Sequence, residues 1–350
     1  MNDKKKLKLI LYPLLRFIGC DAIFRYVNRK KVLIIVYHGI IANGNTFHPF
    51  TLLSLSDFER QIKFLKKHYT ILSLKETVHL MQQKKKLPCR VAVITFDDGY
   101  YNNLTYALPI LQKHQVPVTI FLTTGYIGTK KLLPIDQAYL ICRYTQKLKS
   151  QTRPEIGLES LSFTNDMERE NSFSKLVKVL KKIPTHDQKL CLASLQQELQ
   201  VPDFEEDKKI YQDFRLMSWA EVLKLKKSGW VDFGSHTVSH EILTNVPDQI
   251  AEKEIIDSKI MLEEKLNEPI SFFAYPNGQQ IDFNSQHIHL LYKHGYSAAV
   301  TTIPALNSHQ ENIYTLKRMN FGSGLSANMN YFILRTSGFL PFFKNIIKHV

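Results

Sequence analysis

Asp97 and Asp98 stand side by side at the end of an uncharged run, Val91-Ala-Val-Ile-Thr-Phe96, and Gly99 follows them. Adjacent carboxylates can divide hydrolytic work, one holding a metal ion while the other takes a proton from water. The same letters also suit an Asp-Asp-Gly turn in a surface loop. A second cluster is His236-Thr-Val-Ser-His240. Two histidines four apart meet if a helical turn follows, a common metal-ligand spacing. One carboxylate added to them makes a two-His-one-Asp set with positions left for water and substrate. An HxxxH alone is a weak signal, and the Asp-Asp pair strengthens it. His38 and Tyr275-Pro-Asn-Gly278 close two further apolar runs.

These residues need elements to carry them. Val91–Phe96 reads as a buried strand, and alternation along a strand predicts that Asp97 and Asp98 point to opposite sides and do different jobs. Buried-strand patterns recur at 31–38, 116–123, 230–236, 270–275 and 296–302, with a short one at 70–73. Helical segments lie between them: one capped by Ser56 with Glu59, running to about His68, then 74–83, a segment through Pro109 to His114, one capped at Ser218, then 248–266 and 285–294. Strands alternating with helices predict a parallel α/β fold, open or closed as a barrel. In such folds sites collect at the C-terminal ends of strands, where His38, Asp97, His236 and Tyr275 all fall. Residues 128–214 lack strand signals and read as a helical insertion over one face of the 32–330 unit.

The net charge of +14 is unevenly placed. Residues 1–31 carry nine Lys/Arg against two Asp, and residues 331–350 carry Arg335, Lys344 and Lys348 without an acid. The basic residues sit among Leu, Ile and Phe at the chain ends rather than over a docking face, so nucleic acid is not the expected partner. The N-terminal run is too short to span a bilayer and lacks a small-residue cleavage site. It reads as a basic amphipathic helix, either packed on the domain or lying on an anionic membrane surface, and 331–350 repeats the theme. Four scattered cysteines without a CxxC pair fit a reducing compartment, which gives a cytoplasmic expectation, peripheral on the inner membrane face if the ends bind lipid. His287, His289 and His294 share one helix without a suitably spaced carboxylate and read as structural or surface residues.

Thr95-Phe-Asp-Asp-Gly99, His236-Thr-x-x-His240 and Phe273-Ala-Tyr-Pro-Asn-Gly278 together resemble the polysaccharide deacetylases of carbohydrate esterase family four, over roughly residues 32–125 and 215–320. The resemblance implies a distorted (β/α) barrel of parallel strands, here with a helical insertion and extra terminal helices. It implies a hydrolase that removes acetyl groups with a divalent metal, zinc foremost, with cobalt, nickel or manganese as alternatives. It assigns Asp97 as general base and Asp98, His236 and His240 as metal ligands. Donors to the oxyanion are expected around Tyr275, Pro276 and Asn277. Many members carry an arginine where this chain has Ala274, and Arg318 is the expected substitute for orienting Asp97. The chain also lacks a late Leu-x-His motif. Tyr37-His38 resembles instead the subgroup acting on poly-N-acetylglucosamine, which makes His38 the expected acid.

Three functions follow as expectations. The first is a metal-dependent N-deacetylase acting on an amino sugar in a polysaccharide or glycan precursor of the cell envelope. The second is a deformylase or related amide hydrolase on a lipid-linked amino sugar, which the basic apolar ends would suit. The third is a non-catalytic carbohydrate-binding relative, against which the joint presence of Asp97, Asp98, His236 and His240 argues.

Overall fold

The computed structural model describes residues 3–42, 49–204 and 208–348. In chain order, two helices, α1 (Asp3–Phe17) and α2 (Cys20–Val27), precede β1 (Leu33–Tyr37), and a minor pair follows, β2 (Gly39–Ile41) and β3 (Leu52–Ser54). Next come α3 (Leu55–His68), β4 (Thr70–Ile71), α4 (Leu74–Gln82), β5 (Val91–Phe96), α5 (Leu108–His114) and β6 (Val118–Leu122). The insertion supplies α6 (Pro134–Tyr144), α7 (Asp166–Leu180), α8 (Thr185–Glu198) and α9 (Lys208–Phe214). The alternation then resumes with α10 (Trp219–Lys227), β7 (Val231–Ser235), α11 (Asp248–Leu266), β8 (Phe272–Ala274), α12 (Ser285–Lys293), β9 (Ala298–Val300) and β10 (Met319–Asn320). The helices α13 (Met329–Thr336) and α14 (Phe339–Lys348) end the described chain.

The large sheet is parallel throughout, in the order β10-β1-β5-β6-β7-β8-β9, with β4 laid beside the start of β5. The segment 316–320 reaches both edges: Leu316 bridges Val300 on β9, and Met319 and Asn320 pair with Ile35 and Val36 on β1. The result is the distorted barrel expected from the sequence, closed by one irregular stretch. The capping expectation moves by two residues at α3. The β3 strand runs to Ser54, so Ser54 rather than Ser56 takes the N-cap and accepts from the Asp57 N–H. The cap at Ser218 is as expected, with Glu221 completing the reciprocal box.

Strand alternation sorts the apolar residues onto two sides. Leu33, Ile35 and Tyr37, with Ala92, Ile94 and Phe96, pack against helix residues such as Phe58 and Ile62. Ile34 and Val93 lie in a second cluster with Phe121, Ala274 and Val300. Every residue of β1 and of β5 is buried, which is why these strands read as continuous apolar runs. The insertion has a core of its own, built from Leu140, Phe173, Leu176, Leu192 and Leu195, and Ile41 and Leu52 of the minor strand pair join it to the barrel. The four cysteines are unpaired.

Candidate active site

Asp97 lies on the side of β5 that carries Val93 and Thr95, so alternation delivers it to the barrel interior. Asp98 does not simply take the opposite side. Its φ of 74° puts it in the left-handed region, and Gly99 follows at 92°. The alternation stops there, and both carboxylates line one pocket. A side chain at Gly99 would meet Leu122 and Ile127 at 2.6 and 3.0 Å, so only glycine lets the chain leave the site by this route.

Arg318 reaches Asp97 from just before β10, 221 residues later. Its Nη1 and Nη2 each donate to one Asp97 oxygen at 2.7 Å, Nη1 also donates to the Thr95 hydroxyl, and Nε donates to the Thr301 carbonyl. Arg318 has no exposed surface. Burial alone would raise the Asp97 pKa, but the Arg318 guanidinium, with the nearby His236 and His38 rings, brings it down to about 2. Asp97 is therefore a fixed, fully ionised carboxylate at neutral pH.

Asp98 has the opposite environment. Burial, followed by repulsion from Asp97 and Asp136, raises its pKa well above the usual carboxylate range. Its Oδ1 is buried without a hydrogen-bond partner among the described residues and lies 3.6 Å from His236 Nε2 and 3.4 Å from His240 Nε2. His236 follows β7, and its Nδ1 is 2.8 Å from the Ala274 carbonyl, an arrangement in which Nδ1 carries the proton and Nε2 turns its lone pair toward Asp98. Burial lowers the pKa of His236, and burial with the neighbouring His236 and His38 lowers His240 further, so both rings are neutral. Two neutral imidazoles and one uncompensated carboxylate, with ligand atoms all within 4.8 Å of one another, match the donor set of a divalent cation.

A loop rather than a helical turn brings the two histidines together. Thr237 and His240 both adopt left-handed backbone angles, 64° and 61°. Glu254 of α11 holds this loop, accepting from the Val238 and Ser239 amides at 2.8 Å and from the Ser239 hydroxyl at 2.7 Å. Asn102 and Asn103 do similar work opposite: Asn103 donates to the His38 carbonyl at 2.7 Å and Asn102 accepts from the Ile40 amide at 2.9 Å. Glu254 was not found from sequence because nothing in a charged helix marks one glutamate among several. The Asn102-Asn103 pair, two amides directly after an Asp-Asp-Gly-Tyr-Tyr run, was a usable signal.

His38 lines the same pocket, half-buried, with Nδ1 lacking a partner among the described residues. Burial is the main reason its pKa drops to about 4, leaving the ring neutral at rest. The expectation for the Tyr275 segment needs correction. The Tyr275 amide donates to the Val300 carbonyl at 3.1 Å, its hydroxyl donates to the Tyr314 carbonyl, and its ring stacks on Phe283 at 4.1 Å. That amide is therefore not free to stabilise an oxyanion. Tyr275 and Pro276 are not among the pocket-lining residues, whereas Asn277 is, with φ 56°. His287 is buried and closes the N-terminal cap of α12 with Asn284, a structural role as expected.

The pocket encloses about 310 Å³, enough for a sugar-sized ligand. Its floor comes from the barrel, but the insertion supplies wall residues Leu133, Ile135, Val177, Lys181 and Gln188, and α13 supplies Arg335. The sequence placed the insertion over one face without giving it this part.

Residues 84–299 match the family model for polysaccharide deacetylases. The chain belongs to the polysaccharide deacetylase family, and is thus a hydrolase of the class acting on carbon–nitrogen bonds other than peptide bonds. YxkH of Bacillus subtilis, which carries a polysaccharide deacetylase name, is 23% identical over 85% of this chain and 74% of its own length. A poly-β-1,6-N-acetyl-D-glucosamine N-deacetylase of Staphylococcus aureus is 35% identical over 130 residues, 36% of this chain and 42% of that protein. In fold, the chain is similar to the Streptococcus pyogenes deacetylase PplD solved with acetate, with a TM-score of 0.57 at 18% identity, covering 88% of this chain and 98% of that one. It is also similar to IcaB from Ammonifex degensii, with a TM-score of 0.55 at 14% identity over 89% and 97% of the two chains.

Proposed function

We propose that the protein removes N-acetyl groups from an amino sugar within a polysaccharide. The Arg318-clamped Asp97, directly beside a carboxylate and two imidazoles whose ligand atoms converge, is the observation that carries this reading. The relatives named as poly-N-acetylglucosamine N-deacetylases support the choice of an amide on an amino sugar. Asp98, His236 and His240 would hold the divalent ion. When bound, such an ion polarises an amide carbonyl and acidifies a water molecule.

The chain's own residues then have distinct tasks. Asp97 accepts the proton of the attacking water. With a pKa near 2 it is a weak base that passes the proton on and does not keep it. Arg318 keeps both Asp97 oxygens in place and acts as a positioning residue. His38, neutral at rest, is the group that relays a proton to the amine as the carbon–nitrogen bond breaks, releasing acetate and a free amino sugar. The pocket walls from the insertion exclude water around the reacting amide and seat the sugar.

The test is to load purified protein with zinc, cobalt, nickel or manganese and incubate it with β-1,6-linked N-acetylglucosamine oligomers and their N-formylated counterparts. Acetate release that requires both metal and Asp97 supports the reading. Formate release without acetate would move the acyl specificity to a deformylase. Release of neither acid, by protein shown to hold metal, would overturn the substrate class.

A further inference from the structure

Helices α1 and α2 form a hairpin turned at Gly19, whose φ is 80°. One side of it is packed. Tyr12 meets Tyr331 at 5.7 Å, Phe24 meets Phe339 edge-on at 5.1 Å, and Arg16 donates to Asn330 at 2.6 Å. The other side is bare. Leu7, Ile10, Leu14 and Phe17 recur every three or four residues, which places them on one stripe of α1. Ile10 is 72% exposed and Phe17 89% exposed. Ile23, Tyr26 and Val27 extend the surface along α2, each about 60% exposed or more.

This is a patch rather than scatter. Of the 21 large apolar residues exposed among the described residues, nine lie between Leu7 and Val27. Phe342 and Phe343 of α14 join them through Phe24, whose ring lies 5.5 and 6.4 Å from theirs. A contiguous apolar surface of this kind marks an interaction site.

Charge selects the partner. Residues 1–31 carry nine cations against Asp3 and Asp21, and Asp21 is itself paired with Arg25. The side chains of Lys4, Lys5, Lys6, Lys8, Lys344 and Lys348 lie outside the described residues. A second copy of the chain would bring like charge against like charge. An anionic lipid surface accepts both the apolar stripe and the cations beside it. No helix among the described residues is long and apolar enough to cross a membrane, so the attachment lies in the plane of the interface.

We propose that the α1–α2 hairpin, with the Phe342–Phe343 end of α14, is a monotopic anchor that seats this protein on an anionic lipid surface. The same packing ties the anchor to the site. The α13 helix supports α1 through Tyr331 and Asn330, and Arg335 on that helix forms part of the pocket wall. Seating the hairpin therefore fixes the pocket relative to the surface, which suits a glycan presented there.

The test uses the full chain and vesicles, and reads binding without turnover, so its outcome is independent of the deacetylase reading. The protein should sediment with vesicles of equimolar phosphatidylglycerol and phosphatidylcholine at low salt. It should sediment several-fold less at high salt, where screening shortens to a few ångströms, and little with phosphatidylcholine alone. The double variant Ile10→Glu, Phe17→Glu changes only exposed positions. It should lose most of the vesicle binding while keeping the wild-type circular dichroism and melting curve. Wild-type protein that ignores anionic vesicles at low salt would overturn the proposal, as would a double variant that binds unchanged. A wild type that is dimeric without lipid, and that the double variant makes monomeric, would show the occupant to be a second copy instead.

Discussion

The two halves of the pocket floor are built from the same side chain under opposite conditions. On one half Asp97 has both oxygens held by Arg318 and its pKa pulled to about 2. On the other, the adjacent Asp98 has a buried oxygen with no hydrogen-bond partner among the described residues and a pKa pushed well up. Sequence neighbours share burial, so burial does not explain the difference. The partner does. A resident guanidinium makes Asp97 a permanent anion that needs nothing further, whereas Asp98 is left with a debt that only a proton or an external cation can settle. One half is complete as folded, and the other offers a donor set that suits a cation.

The sharpest way to break this comparison is to remove one carboxylate at a time. Asp97→Asn should lower deacetylation by about 10²–10⁴-fold, the range for a lost general base, while metal analysis still finds about one ion per chain. Asp98→Asn should lose the ion first, with activity partly restored at high metal concentration. Equal metal loss in both would show that the two halves are not distinct.

The clamp can be tested next. Arg318→Met leaves Asp97 buried and unpaired, and truncating one partner of such a pair costs about 3–5 kcal/mol. Thermal melting should show this as a large loss of stability at pH 7. The loss should shrink in acid, where Asp97 can take a proton. A melting curve close to wild type at pH 7 would mean that the guanidinium is not what holds this half.

A smaller effect is expected from Glu254→Gln. The carboxylate gathers three donors from the loop that sets His240 in place. Its loss should weaken metal affinity by about tenfold, the low end for groups that orient ligands, without touching the Asp97–Arg318 half. Unchanged affinity would leave Glu254 as a loop tie only.

A last test leaves both halves intact and concerns Asp136, a third carboxylate behind Asp98. It is fully buried, accepts from the Tyr100 hydroxyl at 2.7 Å, and has its pKa raised to about 8, chiefly by burial. Its folded pKa lies above its unfolded one, so the fold holds it protonated. Its contribution is intact below about pH 4, the unfolded value, and is lost as the pH rises toward 8, at no more than about 1.4 kcal/mol per pH unit. Asp136→Asn should flatten the fall in melting temperature between pH 5 and pH 8. A variant with the wild-type slope would place the titration elsewhere.

Much of this molecule was legible because its signals are local. The strand patterns at 31–38 and 91–96 need only their own residues to declare a buried parallel strand, and the structure buries every position of β1 and β5. The site motifs sit where those strands end, which is where a parallel barrel gathers side chains. What escaped depended on backbone angles or on distant packing. The left-handed angle at Asp98 overrides the alternation that would have parted the two carboxylates. The amide of Tyr275 is taken by Val300, a strand neighbour that the letters do not identify. The contribution of the insertion to the pocket wall depends on how α7 and α8 pack across the barrel, and their polar sequence shows only that they are helices.

The seam at 316–320 has a consequence for how the chain acquires this site. Asp97 is laid down early, and the arginine that makes its burial tolerable arrives 221 residues later on the stretch that joins β9 to β1. Until that stretch is in place, the barrel interior would enclose a bare anion, which a low-dielectric core resists strongly. Closing so long a loop is slow in any case, because its entropy is spent before the contact forms. The stretch that joins β9 to β1 is thus also the one that delivers the counter-charge for Asp97.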